Sequence, residues 1–255
     1  MKNKQQLFLD LLQELNENHS TISAEYKYLG TGNPMSDMLI IGKEAAISIE
    51  TEQYQVEILD NLRYWTTLEN YSLDKIQERS FGAYSPLYPY RGQILKKDNG
   101  QNWGTSKTWM NYQKLLSNIY DVQDSSNINF HEKSFITEVN STPSKLTVNA
   151  DTSSISFRKQ NILTSSFFQN FPIIIISGVG YFDMHPTANE IEEIFQVKFS
   201  EKKFANTVTN TQPYWLHWNK DKTKLLINTN QLSIGISDLL LTSLAAEIQE
   251  SNLLK

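Results

Sequence analysis

Polar groups that could do chemistry follow four short apolar runs of this chain. They are Gly42-Lys43-Glu44, Glu138-Val139-Asn140, Ser177-Gly178 and Thr229-Asn230-Gln231. A carboxyl group can accept hydrogen bonds or carry a proton, and an amide can both donate and accept hydrogen bonds. If the four runs are parallel strands, these groups meet at one edge of a sheet, where open α/β sheets bind their ligands. Ordinary strand-to-helix turns with capping residues would give the same pattern.

The four runs have the composition of buried strands. Residues 38–41 lie between a polar turn and a glycine, and residues 172–177 contain four successive isoleucines. Short apolar runs between turn signals are typical of strands in a parallel sheet. Together with 134–139 and 225–228, they predict four strands. The aromatic segment 207–218 predicts a further strand, at the edge of the sheet.

Segments with helical periodicity alternate with these strands. Apolar residues recur at helical spacing in 5–16, in 108–120 and in 237–254, and more weakly in 52–77, 162–171 and 191–195. The alternation predicts an α/β protein, a three-layer α/β/α sandwich with a central, mostly parallel four-stranded sheet. The chain has no repeat and no segment with the composition of a linker, so we expect one domain over residues 1–255. In the helix 108–120 we expect Trp109 and Tyr112 to belong to the core.

Composition excludes several classes of function. The chain has no cysteine, which excludes disulfides, thiolate catalysis, cysteine zinc sites and cysteine-ligated iron–sulfur clusters. Its four histidines lie far apart without metal-ligand spacing, and no phosphate-binding or dinucleotide-binding glycine motif is present. No segment has the length of a membrane span or of a signal peptide's apolar region. We therefore expect a cytoplasmic protein with no membrane partner, no metal and no cofactor.

Charge is distributed unevenly along the chain. The formal net charge is −5, which argues against broad binding of polyanions. Residues 91–114, however, carry five basic side chains and one acidic side chain. They overlap with the segment 81–102, which is rich in glycine, proline and tyrosine and is predicted to be a long loop. Aromatic and basic residues together on a loop suit the stacking of unpaired nucleotides.

In the order of these motifs the chain resembles the uracil-DNA glycosylase superfamily. Members of that family have a first strand that ends in a glycine-containing loop, often Gly-Glu-Ala-Pro, and a second strand that ends in Thr-Asn. The matching segments here are 42–46, which reads Gly-Lys-Glu-Ala-Ala, and 137–140, which reads Thr-Glu-Val-Asn. A family strand that ends in His-Pro-Ser is similar to 227–233. Trp103 stands where the family has an aromatic residue that stacks on the base. The resemblance covers residues 30–250 in order and spacing.

The resemblance implies a DNA glycosylase, which flips a damaged or modified base into a pocket at the strand ends and hydrolyses its N-glycosidic bond. Glu44 would position water or stabilise the sugar cation, and Asn230 or Gln231 would contact the leaving base. The residues expected to bind the base are Gly42, Lys43, Ala45, Trp103, Glu138 and Asn140. The residues expected to contact the backbone of the nucleic acid are Arg91, Ser106, Lys107, Ser141 and Ser233. The implied partner is DNA, and no metal or cofactor is implied.

Two departures from the family motifs concern the carboxyl groups. The first loop has one more residue before its carboxylate than Gly-Glu has, and Lys43 would be the neighbour that keeps Glu44 ionised. Glu138 replaces the base-reading asparagine. An ionised carboxylate only accepts hydrogen bonds, so Glu138 would favour a base with an exocyclic amino group, such as cytosine, adenine, guanine or a modified relative. Alternatively, Asn140 reads the base, or Glu138 belongs to a network of its own.

The third departure is a missing histidine. Where the family often has a histidine that stabilises the negative charge of the departing base, this chain has Asn230 or Gln231. An amide can donate a hydrogen bond but brings no positive charge, and loss of one such donor costs on the order of 10²–10³ in rate. The protein would then act on a base that is a better leaving group, or it would be inactive. Asn230 would alternatively cap the segment that follows.

Two other functions are compatible with the same residues. One is a catalytically inactive module that keeps the fold and binds nucleic acid, a nucleotide or a protein partner. The other is hydrolysis of free nucleosides, which would need no basic groove for a strand. A glycosylase needs Glu44 for turnover, whereas a binding module has no turnover to lose.

Overall fold

The computed structural model describes residues 2–17, 22–68, 85–87, 107–122, 129–178, 180–185, 188–206 and 211–254. Within these ranges the strands are β1 (Thr31–Gly32), β2 (Met38–Gly42), β3 (Phe135–Glu138), β4 (Ile173–Ser177), β5 (Met184–His185), β6 (Ala188–Asn189), β7 (Lys198–Asn206), β8 (Thr211–Trp218) and β9 (Leu225–Thr229). β5 and β6 form a two-stranded hairpin, and the other strands form one sheet.

The main sheet is larger than the sequence predicts. Its strand order is β1-β3-β2-β4-β9-β8-β7. The four predicted strands β3, β2, β4 and β9 lie together at the centre and are parallel, whereas β1, β8 and β7 add antiparallel pairs at the two sides. An α/β protein is confirmed, but the four-stranded sheet is wrong, since the described sheet has seven strands. The two-residue β1 and the charged, exposed β7 contain no apolar run that would reveal them.

The predicted edge strand is an inner strand. β8 lies between β9 and β7, so that β7 forms the edge on this side of the sheet. β7 carries lysines at positions 198, 202 and 203, and most of its side chains are exposed. Charged side chains on an edge strand oppose pairing with another chain. The charged pattern of β7 therefore suits an edge strand, but it does not identify the segment as a strand from the sequence.

The main helices agree with the periodicity of the sequence. Their bounds are Lys4–Glu17, Glu52–Tyr54, Asn61–Thr66, Lys107–Tyr120, Ser153–Phe157, Ser166–Gln169, Glu190–Phe195 and Asp238–Glu250. The first buries Phe8, Leu11, Leu12 and Leu15, which is the predicted apolar face. The predicted helix 162–171 is shorter, because a π-helical turn at Arg158–Ile162 precedes the helix Ser166–Gln169. No helix in the described ranges is long and apolar enough to cross a membrane.

Two hydrophobic cores lie on the two faces of the sheet. Leu39 and Ile41 of β2 belong to one core with the helix Lys4–Glu17, and Met38 and Ile40 belong to the other with the helices Lys107–Tyr120 and Asp238–Glu250. Successive side chains of a strand point to opposite faces, so a continuous apolar run can bury both. The cores confirm that helices cover both faces of the sheet. They fix the strands whose ends form the candidate site.

Candidate active site

A cavity of about 610 Å³ lies at the carboxyl ends of the four parallel strands. Each strand end contributes to its lining: Gly42 and Glu44 at β2, Glu138 at β3, Ser177 at β4 and Gln231 after β9. The polar groups that follow the four apolar runs therefore do converge. Cavities of this volume are typical of sites for small molecules.

The carboxyl group of Glu44 joins the loops that follow three strands. It is 9 % exposed and lies in the loop after β2. Thr147, in the segment after β3, donates a hydrogen bond from Oγ1 to Oε1 of Glu44. Tyr181, after β4, donates one from its hydroxyl to Oε2 at 2.5 Å. Burial and this hydrogen bond raise the pKa of Tyr181 to about 12, so the tyrosine remains a donor. Both carboxyl oxygens of Glu44 therefore accept a hydrogen bond from a hydroxyl group.

The carboxyl group of Glu138 has a contrasting environment. Its side chain is partly exposed to the cavity, but Oε2 is buried and has no hydrogen-bond partner among the described residues. Burial, and next the charge of Glu44, raise the pKa of Glu138 to about 8, against an opposing effect of Arg158. At neutral pH the neutral acid is therefore the main form. A neutral carboxyl group has one donor and one acceptor, whereas the predicted preference for a base with an exocyclic amino group assumes an ionised Glu138.

Position 42 requires glycine because the carboxyl group of Glu138 lies against its backbone. A Cβ atom added to Gly42 would lie 2.1 Å from Oε2 and 2.9 Å from Cδ of Glu138. The carboxyl group thus packs directly on the backbone of the neighbouring strand, with which β3 pairs through Gly42 and Glu138. Any side chain at position 42 would displace the Glu138 carboxyl group.

A buried cation, Arg158, supports the end of β3. Its guanidinium donates from Nε and Nη2 to the backbone carbonyl of Glu138, at 3.0 Å and 2.8 Å, and from Nη2 to Oγ1 of Thr137 at 2.9 Å. Nη1 donates to the carbonyl oxygens of Tyr26, at 3.3 Å, and Tyr28. Burial lowers the pKa of Arg158 to about 10, so the group stays charged at neutral pH. No local pattern in the sequence singles out this residue.

Aromatic and acidic residues that the sequence analysis did not assign to the site complete the wall. Trp109 and Tyr112, expected in the core, both line the cavity, and Tyr28 and Glu57 line it as well. Trp109 is partly exposed, whereas Tyr112 is buried. Burial raises the pKa of Glu57, and Nε2 of Gln53 donates to its Oε1 at 3.0 Å. The three-residue spacing of Trp109 and Tyr112 on one helix face fits a cavity wall as well as a core.

The predicted residues Lys43 and Ala45 also line the cavity. Nζ of Lys43 lies 5.6 Å from the ring centroid of Tyr181. No ion pair joins Lys43 to Glu44 in the part of the chain that the structure describes. The partners of Glu44 are hydroxyl groups, so the predicted role of Lys43 as its charged neighbour has no contact behind it.

Asn140 and Ser141 are turned into the protein. Asn140 is fully buried, donates from Nδ2 to the carbonyl of Asp151 at 2.9 Å and accepts from Oγ of Ser154 at 2.6 Å. These bonds shape the turn after β3, and Asn140 does not line the cavity. Ser141 is 2 % exposed, so its side chain is not presented to a nucleic-acid strand. Of the alternatives for base reading, only Glu138 faces the cavity.

The remaining predicted residues are divided between the cavity, its surroundings and the part of the chain that is not described. Gln231 lines the cavity but Asn230 does not, and the capping residue of the following helix is Ser237 rather than Asn230. Lys107 is exposed on the first turn of the helix that carries Trp109, and the carbonyl of Ser233 accepts from Asn111 at 2.8 Å. Arg91, Trp103 and Ser106, and the loop 81–102 apart from residues 85–87, lie outside the described residues.

The described residues contain no group of three or more histidine, cysteine, aspartate or glutamate side chains that could hold a metal ion. Comparisons of the chain with protein-family models, with curated proteins and with solved structures gave no match. The function must therefore be argued from the site alone.

Proposed function

We propose that the protein hydrolyses the N-glycosidic bond of a nucleobase, which it takes from DNA into the cavity at the strand ends. The observation that carries the proposal is that Glu44 and Glu138 line one cavity in contrasting environments. Glu44 accepts two hydroxyl hydrogen bonds, whereas Glu138 is buried without a partner at Oε2 and has a pKa of about 8. Paired carboxyl groups whose environments differ in this way are typical of acid–base sites.

The proposed step needs only groups that line the cavity. A water molecule attacks C1′ of the sugar, the C1′–N bond breaks with its electron pair passing to the base, and Glu44 accepts the proton of the water. Glu138 binds the edge of the base, and the amide of Gln231 donates a hydrogen bond to it as it leaves. Trp109, which is partly exposed, supplies aromatic surface for the base. General-base catalysis of this kind contributes about 10²–10⁴ in rate.

Exposed apolar side chains around the strand-end loops favour DNA as the source of the base. Ile49 follows β2, Leu146 and Val148 follow β3, and Ile234 follows β9, with exposures of 60 %, 61 %, 88 % and 86 %. Proteins that unstack bases insert apolar wedges between them. These side chains follow three of the four strands whose ends form the cavity, so a wedge would act next to the pocket that receives the base.

The proposal is tested by strand scission after alkali on labelled single-stranded and double-stranded oligonucleotides. The panel contains uracil, hypoxanthine, xanthine and several modified cytosines. We expect cleavage at one class of base, and a loss of about 10²-fold or more in the Glu44→Gln variant. Glu50→Gln, which removes an exposed carboxyl group from the same loop region, is the matched control and should retain full activity.

Three results would overturn the proposal. Equal cleavage by the Glu44→Gln variant would remove Glu44 from the mechanism. Failure to release any base, by a folded protein that still binds DNA, would indicate the inactive binding module. Release of a base from free nucleosides but not from oligonucleotides would mean that the protein hydrolyses the N-glycosidic bond of nucleosides and not that of DNA.

A further inference from the structure

Carboxyl groups outnumber ammonium groups on the wall of the cavity. Among the described residues that line it, three have carboxyl groups, namely Glu44, Glu57 and Glu138, and one, Lys43, has an ammonium group. The stem of Lys43 crosses Gly178, and its ammonium group lies toward Gly180 and the ring of Tyr181. Arg158 contacts the backbone of β3 and does not line the cavity.

The carboxyl groups of this wall ionise more readily beside a cation than beside an anion. Burial raises the pKa of both Glu57 and Glu138, and the charge of Glu44 raises that of Glu138 further. An anion in the cavity would meet these groups at short range in a poorly solvated place. A cation would instead favour their ionised forms. Oε2 of Glu138 is buried without a partner, so a cation nearby would offset the cost of ionising this carboxyl group.

The aromatic residues of the wall also favour a cationic ligand. Trp109 and Tyr112 line the cavity on one face of the helix Lys107–Tyr120. Aromatic rings attract cations through their faces, and tryptophan does so most strongly. Carboxyl groups and aromatic rings in one cavity are a combination that binds planar cations.

The loop after β9 matches a leaving base that carries no negative charge. This loop brings Gln231 to the cavity, and an amide can donate a hydrogen bond but supplies no charge. A neutral base leaves as an anion unless it is protonated, and this loop supplies no positive charge to such an anion. A base with a positive charge leaves as a neutral molecule and needs none.

Resting on the proposed function, we propose that the substrate base of this site is cationic, an N-alkylated purine or pyrimidine. Water adds to C1′ and the C1′–N bond breaks, with its electron pair passing to the ring nitrogen of the base. The pair cancels the positive charge of the base, which departs neutral. Glu44 accepts the proton of the water and releases it to solvent. The products are the free alkylated base and an abasic sugar.

The first test compares the release of 7-methylguanine, as cationic base, with that of uracil and hypoxanthine from matched oligonucleotides. The released base is measured by chromatography, because alkali itself cleaves strands at 7-methylguanine, and a sample without protein gives the spontaneous rate. Free 7-methylguanosine is assayed in parallel. We expect faster release of 7-methylguanine than of either neutral base, and loss of that release in Glu44→Gln. Release from the nucleoside alone would assign the same chemistry to a free substrate.

The second test measures binding without turnover. Calorimetry at pH 6 compares 7-methylguanosine, which is cationic there, with guanosine. We expect the cation to bind more tightly by about tenfold, and Glu57→Gln to remove most of this preference. Glu52→Gln, which changes an exposed carboxyl group next to Gln53 of the cavity wall, is the control. Binding of the cation should also release a proton from Glu138, seen as a dependence of the heat on the buffer and absent in Glu138→Gln.

The outcomes separate the two proposals. Release of uracil or hypoxanthine without release of 7-methylguanine would overturn the cationic substrate and leave the glycosylase. No release of any base, together with tighter binding of 7-methylguanosine that depends on Glu57, would overturn the glycosylase and support a cation-binding cavity. Equal binding of 7-methylguanosine and guanosine would overturn the cationic ligand whatever the result of the first test.

Discussion

Glu138 is the last residue of β3, and Arg158 binds the backbone carbonyl of Glu138, but the surroundings of the two side chains differ. The guanidinium of Arg158 donates to three backbone carbonyls and to one threonine hydroxyl, all of them buried or partly buried. The carboxyl group of Glu138 packs on Gly42, and its Oε2 has no partner among the described residues. A buried polar group with all its partners in the protein stabilises the fold. One that lacks a partner costs stability, and Glu138 is such a group on the wall of a cavity.

The largest effect on stability should come from removal of the satisfied group. Arg158→Met leaves the carbonyls of Glu138 and Tyr28 without their donor, and each unpaired buried acceptor costs about 1–3 kcal/mol. We expect the free energy of unfolding to fall by at least about 3 kcal/mol, measured by urea denaturation. A loss below about 1 kcal/mol would mean that water replaces the guanidinium, and that the end of β3 needs no support from it.

The second prediction concerns the unpartnered group. The folded protein holds the Glu138 proton up to a pKa of about 8, whereas the unfolded chain releases it near the ordinary glutamate pKa of 4.5. The folded state therefore binds more protons between these values, and the stability that Glu138 contributes falls as the pH rises through this window. We expect the free energy of unfolding of Glu138→Gln to rise relative to that of the native protein by up to about 1.4 kcal/mol per pH unit from pH 5 to pH 8.

Urea denaturation of both proteins at pH 5.5, 6.5 and 7.5 measures this difference. The comparison with the variant matters because other groups titrate in the opposite direction. Burial lowers the pKa of His131 to about 3 and that of Lys4 to about 7, so both favour the folded state as the pH rises through their own windows. If the difference in stability between the native protein and the variant does not change with pH, the pKa of Glu138 is the same in the folded and unfolded states.

The third prediction couples Glu138 to the glycine below it. Gly42→Ala should push the carboxyl group of Glu138 out of its place, because the added Cβ would stand 2.1 Å from Oε2. We expect a loss of about 1 kcal/mol in stability, since the displaced group is the end of a flexible side chain, and a larger loss of turnover. In a Glu138→Ala background the same change should cost less. A double-mutant cycle measures this coupling, and additive effects would contradict the contact.

The parallel core and its polar strand ends could be predicted from the sequence because both depend on local signals. Continuous apolar runs such as 38–41 and 172–177 indicate strands buried on both faces, and the residues after them lie at one sheet edge by topology alone. β1 and β7 could not be found in this way, because one has two residues and the other has a charged, exposed pattern. Pairing with a neighbour, not local composition, makes these segments strands.

The chemistry of the site depends on contacts between residues distant in sequence, and most of it was beyond prediction. Glu138 was predicted as a base-reading residue, but its raised pKa depends on burial and on Glu44, 94 residues away in the chain. Arg158 belongs to no local motif. Asn140 is a candidate for reading the base by its sequence position, but its side chain is bonded within the turn after β3. Residue type gives the chemistry that is available, and the environment selects which part of it is used.

The smallest effect should come from an arginine whose charge is exposed. Nη2 of Arg63 lies 2.8 Å from Oδ2 of Asp60, and the arginine side chain is 62 % exposed. Solvent screens such a pair, and water replaces either partner when the other is removed. We expect Arg63→Met to leave the urea midpoint within the scatter of replicate measurements, in contrast to the same substitution at Arg158. Because both variants exchange arginine for methionine, their difference isolates burial from residue type. Equal losses in the two variants would contradict the view that the buried hydrogen bonds of Arg158, and not its charge alone, stabilise the end of β3.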